Sequence, residues 1–351
     1  MSFYVQVAII ELVDTFLYIF RQKFAQISDF CYTVAMYSLQ DLAEHLNTKH
    51  HLPVQENQIR DLRNIGYYHG FKGYRFIRKS SNKISFTSFS QIVDLNSFDM
   101  QLKGLIYPNL MFIENALKSY VLEATLAECQ SEKLMEIYKT GLTYYKTFKA
   151  GTPDYKKEFK KRMDLEMKIS SALIRDYMGG KSIPVHFYEK DKEIPIWAAF
   201  ESLTLGEFGT FYSCANKNIR DKVSSLLNLP TNLNSDGFLL RDIIFCLKDL
   251  RNAVAHNGII FDTRFATSSV KNRLKRLIEN EFSISNIDSN YIAFFIALIS
   301  YILKQLGENK RAKKFINQYK TLQTSSLPPN TKIKIFGAQD ITIIAKLLNN
   351  L

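Results

Sequence analysis

Apolar residues recur every three or four positions over Leu39 to Leu46, Phe89 to Thr125, Ile194 to Tyr212, Asp236 to Ala255 and Tyr291 to Leu306, the period of helices with one buried face. No long series of alternating strands lies between them. Breakers at Pro53, at Gly66, Gly70 and Gly73, at Gly151 to Pro153, at Gly179 to Pro184, at Pro230, and at Pro328 and Pro329 cut the chain into helical blocks. The pattern predicts a mainly α fold, a helical bundle preceded by a helical, basic N-terminal extension. Three segments are expected: 1–88, a core over 89–320, and a linker with a docking segment over 321–351. ISFTSF after Asn82 and IKIFG after Lys332 alternate like strands, so either could form a small β element. The charged run GTPDYKKEFKKRMDLEMK predicts an exposed helix starting at Pro153 with Thr152 as its cap. Its cations suit either plain solvation or a nucleic-acid contact.

Two stretches are apolar enough to raise the question of a membrane. FYVQVAIIELVDTFLYIF has no basic leader or small-residue cleavage site, and Glu11 and Asp14 interrupt it, so a buried helix is the better reading. YIAFFIALISYILKQL, from Tyr291 to Leu306, is short for a bilayer and predicts a core helix. The closing ITIIAKLLNNL could dock on the body or on a second subunit.

Composition narrows the classes further. With 46% hydrophobic and 13% aromatic residues the chain of 351 has material for a packed core, which excludes bulk disorder. Lys and Arg number 46 against 34 Asp and Glu, a formal charge of +12, and such an excess fits a polyanionic partner, nucleic acid before an anionic membrane. Cys31, Cys129, Cys214 and Cys246 lie far apart without CxxC spacing, so neither a zinc cage nor a disulfide framework is expected, and a cytoplasmic setting fits. His45, His50, His51 and His186 lack partners at metal-ligand spacing. No metal or cofactor is expected.

Two constellations carry candidate chemistry. IRDLRNIGYYHGFKGYRFIRKSSNK sets Arg60, Arg63, Lys72, Arg75, Arg78 and Lys79 among Tyr67, Tyr68, His69 and Tyr74. Cations can neutralise phosphates while exposed rings stack unpaired bases, which makes this block a candidate RNA surface. The same pattern would arise if the rings were core and the cations solvated the outside. The second constellation is RNAVAHNG, at the end of a helix whose apolar face is Ile243, Ile244, Leu247 and Leu250. Asn257 and Gly258 should stop that helix, placing His256 where the carbonyl end of the dipole favours a cationic imidazole. Asn252 and His256 are four apart and share a face, whereas Arg251 lies about 140 degrees from His256 but has the reach to join it. Metal-free RNA cleavage needs such a set: a group to move the proton and a fixed cation to meet charge on the phosphorane. The Arg-x4-His spacing is common, so context has to support it.

Three stretches in order, LRNIGYYHGFKGYRF, FDMQLKGLIYPNLMFIENALKSY, and IPIWAAFESLTLGEFGTFYS with LKDLRNAVAHNGIIFDTRF, resemble the bacterial Abi-like proteins of the abortive-infection AbiD and AbiF type. Arg251, Asn252 and His256 match that family's HEPN ribonuclease motif position by position. The resemblance implies a HEPN-like helical core, phage defence, a metal-independent endoribonuclease acting on RNA, and control by a small non-coding antitoxin RNA. It also implies a homodimer with facing motif helices. Glu114 matches an acidic family position, while Lys118 and His69 stand where Arg is more usual; Lys keeps the charge and loses the bidentate fork. Glu114 and Lys118 are candidate supports of the site. Glu201 is a further candidate partner of Arg251. The PIW segment's Trp197, Phe200, Leu203, Phe208, Phe211 and Tyr212 are expected in the core. The alternative function is a protein that grips structured RNA without cutting it.

Overall fold

A computed structural model of the chain describes residues 38–266, 270–325 and 346–349. Among these residues the architecture is helical, and the only β pairing consists of isolated antiparallel bridges, Phe76 with Lys83 and Lys133 with Pro195. The first bridge closes the turn before the ISFTSF run, which forms no strand. The IKIFG run, the first apolar stretch and most of ITIIAKLLNNL lie outside the described residues.

The chain divides into two compact units. The smaller takes residues up to Tyr67 together with Thr87–Phe89. In it, α1 (Leu39–His50) starts at a capping box made by Ser38 and Asp41, and α2 spans Ile59–Ile65. His45 meets His50 and Tyr67 edge to face.

The larger unit, Tyr68–Phe86 with Ser90 onward, is built round one long helix, α3 (Ser90–Cys129). Its 40 residues rise about 60 Å, and it buries side chains along its whole length. Pro108 sits inside it and cannot donate to the carbonyl of Gly104, so the ladder is interrupted there. Arg311 braces this point from Asn109 Oδ1 (2.9 Å) and the Pro108 carbonyl (3.0 Å). Around α3 follow α4 (Leu134–Thr140), α5 (Pro153–Met178), α6 (Ser182–Tyr188), α7 (Ile196–Ser202), α8 (Leu205–Cys214), α9 (Lys217–Leu226), α10 (Leu239–Ala255), α11 (Asn272–Phe282), α12 (Ile292–Gln305) and α13 (Asn309–Ser325). α3 packs against α9, α10, α12 and α13, and α8 lies between α5 and α10.

Local chemistry accounts for the boundaries. Thr152 accepts from the Tyr155 amide and caps α5, with Pro153 as its first residue. The apolar run from Ile194 to Tyr212 is not one helix: Thr204 and Glu207 form a capping box that starts α8 afresh after α7. Of its aromatics, Phe200, Phe208, Phe211 and Tyr212 are buried as expected, but Trp197 is 40% exposed and donates to Glu132. α12 is buried on every side from Ile292 to Leu303, which explains its unbroken apolar text. No described helix is long and apolar enough to cross a membrane.

Candidate functional site

The motif helix α10 buries Leu239, Leu240, Ile243, Ile244, Leu247 and Leu250 and ends where RNAVAHNG predicts. His256 is its cap, one residue past the last helical position. The left-handed residue is Asn257 (φ 53°), not the glycine. Gly258 serves close approach instead: its N–H reaches the Ala253 carbonyl at 2.7 Å, and an added Cβ would lie 3.2 Å from that same oxygen.

Asn252 and His256 are exposed, and the His256 ring makes no hydrogen bond among the described residues. Arg251 turns the other way, toward α3. Its Nε lies 3.4 Å from Glu114 Oε2, an ion pair without hydrogen-bond geometry. Glu114 also pairs with Lys118 (3.3 Å), whose Nζ donates to the Leu203 carbonyl at 2.7 Å. The motif arginine is thus held by Glu114, a carboxylate it shares with Lys118; Glu201 is exposed and takes no part in that pair. Arg251 also lies 3.5 Å from Asn252 Oδ1 through its Nη1.

A cleft of about 600 Å³ runs beside the same helix. Arg241, Asp242, Phe245, Cys246 and Asp249 of α10 line it, facing Lys157, Lys161 and Lys168 of α5. At 100 degrees per residue these α10 positions fall within one arc, and Asn252 and His256 fall inside the same arc further along. The cleft therefore opens on the helix face that ends at His256. Its carboxylates are already matched: Glu158 by Lys161, Asp164 by Lys160, Asp249 by Lys248, and Asp242 by Arg241, Lys271 and Arg273. Burial pushes the Cys246 thiol up to about 12, so it lies in the cleft uncharged.

The chain leaving the motif is pinned by charges that sequence reading did not single out. Asp99 on α3, fully buried, accepts from the amides of Ile260 (3.0 Å) and Phe261 (2.9 Å) and from the Tyr74 hydroxyl (3.1 Å), and is ion-paired with Lys103 (2.8 Å). Lys103 in turn donates to Asn257 Oδ1 at 2.8 Å. Burial, then the neighbouring Asp99 charge, push the Tyr74 phenol far above its ordinary value. Asp262 takes the Arg78 amide at 2.6 Å and pairs with Arg264, which donates to the carbonyls of Gly73 and Phe76 at 2.7 Å. The signal available in sequence was a carboxylate and an amine four apart inside an apolar run, FDMQLKGLIY, which a buried pair explains better than a solvated one.

These contacts redistribute the basic, aromatic block. Tyr67 and Tyr74 are buried and cannot offer ring faces to bases, because Tyr74 is committed to Asp99 and Tyr67 packs on His45. Arg78 is committed to Asp262 and Thr263. His69 is edge-on to Tyr74, with its Nε2 buried and without a hydrogen-bond partner. Arg75 lies over Phe71, and Lys72 is half-buried. Tyr68 (69% exposed), Lys79, Arg60 and Arg63 remain on the surface, the last two in the smaller unit. Among the described residues no group of His, Cys, Asp or Glu could hold a metal ion.

The Abi-like protein family matches residues 60–262, more than half the chain, from α2 through the Asp99 anchor to the segment just past the motif. No curated protein and no solved structure matches the chain. The chain belongs to the Abi-like family, which links it to abortive infection.

Proposed function

We propose that this Abi-like protein is a metal-independent endoribonuclease of phage defence whose reacting groups are Arg251, Asn252 and His256. One observation carries the reading: Asn252 and His256 stand exposed on the α10 face that the cleft follows, at the carbonyl end of the helix, and Arg251, ion-paired with Glu114 on its other side, reaches Asn252 Oδ1 at 3.5 Å through Nη1. An RNA strand lies along the cleft, its phosphates near Lys157, Lys161 and Lys168. The 2'-hydroxyl attacks the adjacent phosphorus as His256 moves the proton; the P–O5' bond breaks, leaving a 2',3'-cyclic phosphate and a 5'-hydroxyl. Arg251 offsets the charge that builds on the phosphorane. Asn252 orients the phosphate. Lys79, Tyr68, Arg60 and Arg63 supply further contacts to RNA, either substrate or a small non-coding antitoxin.

The test is the purified chain with single-stranded RNA in EDTA, wild type beside His256→Ala. Cleavage yielding cyclic phosphate ends that disappears in the variant is expected. The imidazole makes no hydrogen bond among the described residues, so the thermal midpoint should not move. Cleavage that requires added divalent metal, or that survives His256→Ala, overturns the mechanism. Steeply salt-dependent binding with the RNA recovered intact would favour the non-cutting alternative, which rests on the exposed cations alone.

A further inference from the structure

α13 lies beyond residue 262, where the family match ends, and it buries Ala312, Phe315, Ile316, Tyr319 and Leu322 against the body. Its outer face exposes Lys310, Lys313, Lys314 and Lys320, with Asn317 and Gln318 between them, and the helix contains no Asp or Glu. At 100 degrees per residue the four lysines fall within an arc of about 120 degrees, spread over about 15 Å. Among the described residues none of them is ion-paired. The lysines of α5 differ: Lys160 and Lys161 are each taken by a carboxylate of their own helix, Asp164 and Glu158.

Beside the strip a groove of about 820 Å³ runs between α13 and α3, lined by Gln101, Gly104 and Leu105 of one and by Lys314, Gln318 and Thr321 of the other. It continues past Pro108 into a second hollow of about 600 Å³, where Lys310 stands and Glu308 is the single lining carboxylate. The walls offer amide side chains, a hydroxyl and the Gly104 carbonyl, which Pro108 cannot serve. No aromatic ring lines the wider groove.

Unpaired bases are gripped by stacking on rings, whereas a duplex is read through its phosphates and the 2'-hydroxyls of its wide, shallow minor groove. Cations without rings, flanked by amides, suit the second task. We infer that this face binds base-paired RNA, the lysines meeting phosphates while Gln101, Asn317, Gln318 and the Gly104 carbonyl bond 2'-hydroxyls. An anionic membrane would need apolar side chains to insert, and the outer face of α13 exposes none. The surface is separate from the motif. Lys103 holds the turn after His256, and Gln101 and Leu105 lie about 160 degrees round α3 from Lys103, so the groove opens on the far side of that helix. Duplex binding therefore stands whether or not the motif cuts RNA. Where it is joined to the nuclease reading, and in that clause alone resting on it, the substrate is an RNA whose cut single strand adjoins a stem.

The test measures fluorescence anisotropy of the full chain in EDTA with a blunt RNA duplex of about 16 base pairs, the span of a domain that reads duplex shape. The variant replaces Lys310, Lys313, Lys314 and Lys320 together by Gln. Duplex affinity is expected to fall more than about tenfold, and the slope of log affinity against log salt by about three to four, since each lost phosphate contact removes about 0.9. The thermal midpoint and the binding of a single-stranded oligonucleotide should not change, and the wild type should bind a DNA duplex of the same sequence more weakly. Loss of duplex binding in the variant supports the proposal even if the wild type cuts no RNA, an outcome that sinks only the nuclease reading. Unchanged duplex affinity, an equal loss for single strands, or a DNA duplex bound as tightly as RNA overturns it. Flotation with phosphatidylserine vesicles that the variant loses also overturns it, and assigns the face to a membrane.

Discussion

Asp99 is the sharpest point at which to test the physics of the site. Replacing it by Ala leaves the amides of Ile260 and Phe261 without their acceptor, the Tyr74 hydroxyl without its acceptor, and the Lys103 ammonium, itself only 6% exposed at the side chain, without its counter-ion. Breaking a buried pair by deleting one partner costs about 3–5 kcal/mol, because the surviving charge stays desolvated. The orphaned amides add to this, so the upper end of that range is expected. For a domain of this size 1 kcal/mol moves the midpoint by roughly 2–4 °C, which puts Asp99→Ala about 10 °C or more below wild type in a circular-dichroism melt. Asp99→Asn keeps an acceptor for the two amides but loses the charge opposite Lys103, and should fall between. Adding Lys103→Met to Asp99→Ala removes the uncompensated cation and should recover part of the loss, a non-additivity that a double-mutant cycle reads directly. Asp99→Ala melting within about 2 °C of wild type would refute the claim that this carboxylate anchors the segment following His256.

Other perturbations probe separate pieces. Glu114→Gln removes the charge that holds Arg251; RNA cleavage should drop about tenfold in kcat/KM (about 1.4 kcal/mol) while stability falls by only about 1–2 kcal/mol, and unchanged cleavage would end the positioning role of Glu114. Burial raises the Asp176 carboxyl, but hydrogen bonds from Lys181, Ser202 and Arg175 outweigh it and hold the group below the ordinary carboxylate range. Its contribution is thus present above an unfolded value of about 3.9 and is lost as pH falls through the lower folded value. Guanidinium midpoints at pH 6 and pH 3 should differ less in Asp176→Asn than in wild type; equal acid sensitivity would remove Asp176 from the account. With its thiol pushed up to about 12, Cys246 should be alkylated by iodoacetamide at pH 8 about a hundredfold or more slowly than a free cysteine, and at the free rate once denatured. Mass mapping that finds it modified at the free rate in the native chain would contradict the raised thiol.

What the sequence discloses here depends on how far apart the cooperating residues lie. The start of α5 was legible because its cap is local, Thr152 to Tyr155, and Pro153 fits the first helical position. The end of α10 was legible for the same reason, although the left-handed position went to Asn257 because Gly258 is needed tight against Ala253. The break between α7 and α8 was missed, since T-x-x-E inside an apolar run does not disturb the period it interrupts. Tyr74 could not be placed from the text, because ring and cation alternate equally well in a core edge and in an RNA surface. What decides it is an acceptor on α3 that also takes two amides more than 160 positions away.

The same long-range contacts tie the motif to sequence far ahead of it, back to Gly73, within the stretch that the family match covers. The motif helix fixes only Arg251, Asn252 and the start of the turn at His256. Where His256 stands depends on Asn257, and Asn257 is held by Lys103 of α3. Lys103 is charge-matched by Asp99, and Asp99 in turn holds Ile260, Phe261 and Tyr74, while Arg264 ties the same loop to the carbonyls of Gly73 and Phe76. Three stretches distant in sequence therefore fix the turn that follows His256. A substitution at Tyr74 or Lys103 should disturb the site as much as one beside it, since each removes a partner from a buried carboxylate whose other bonds locate the turn.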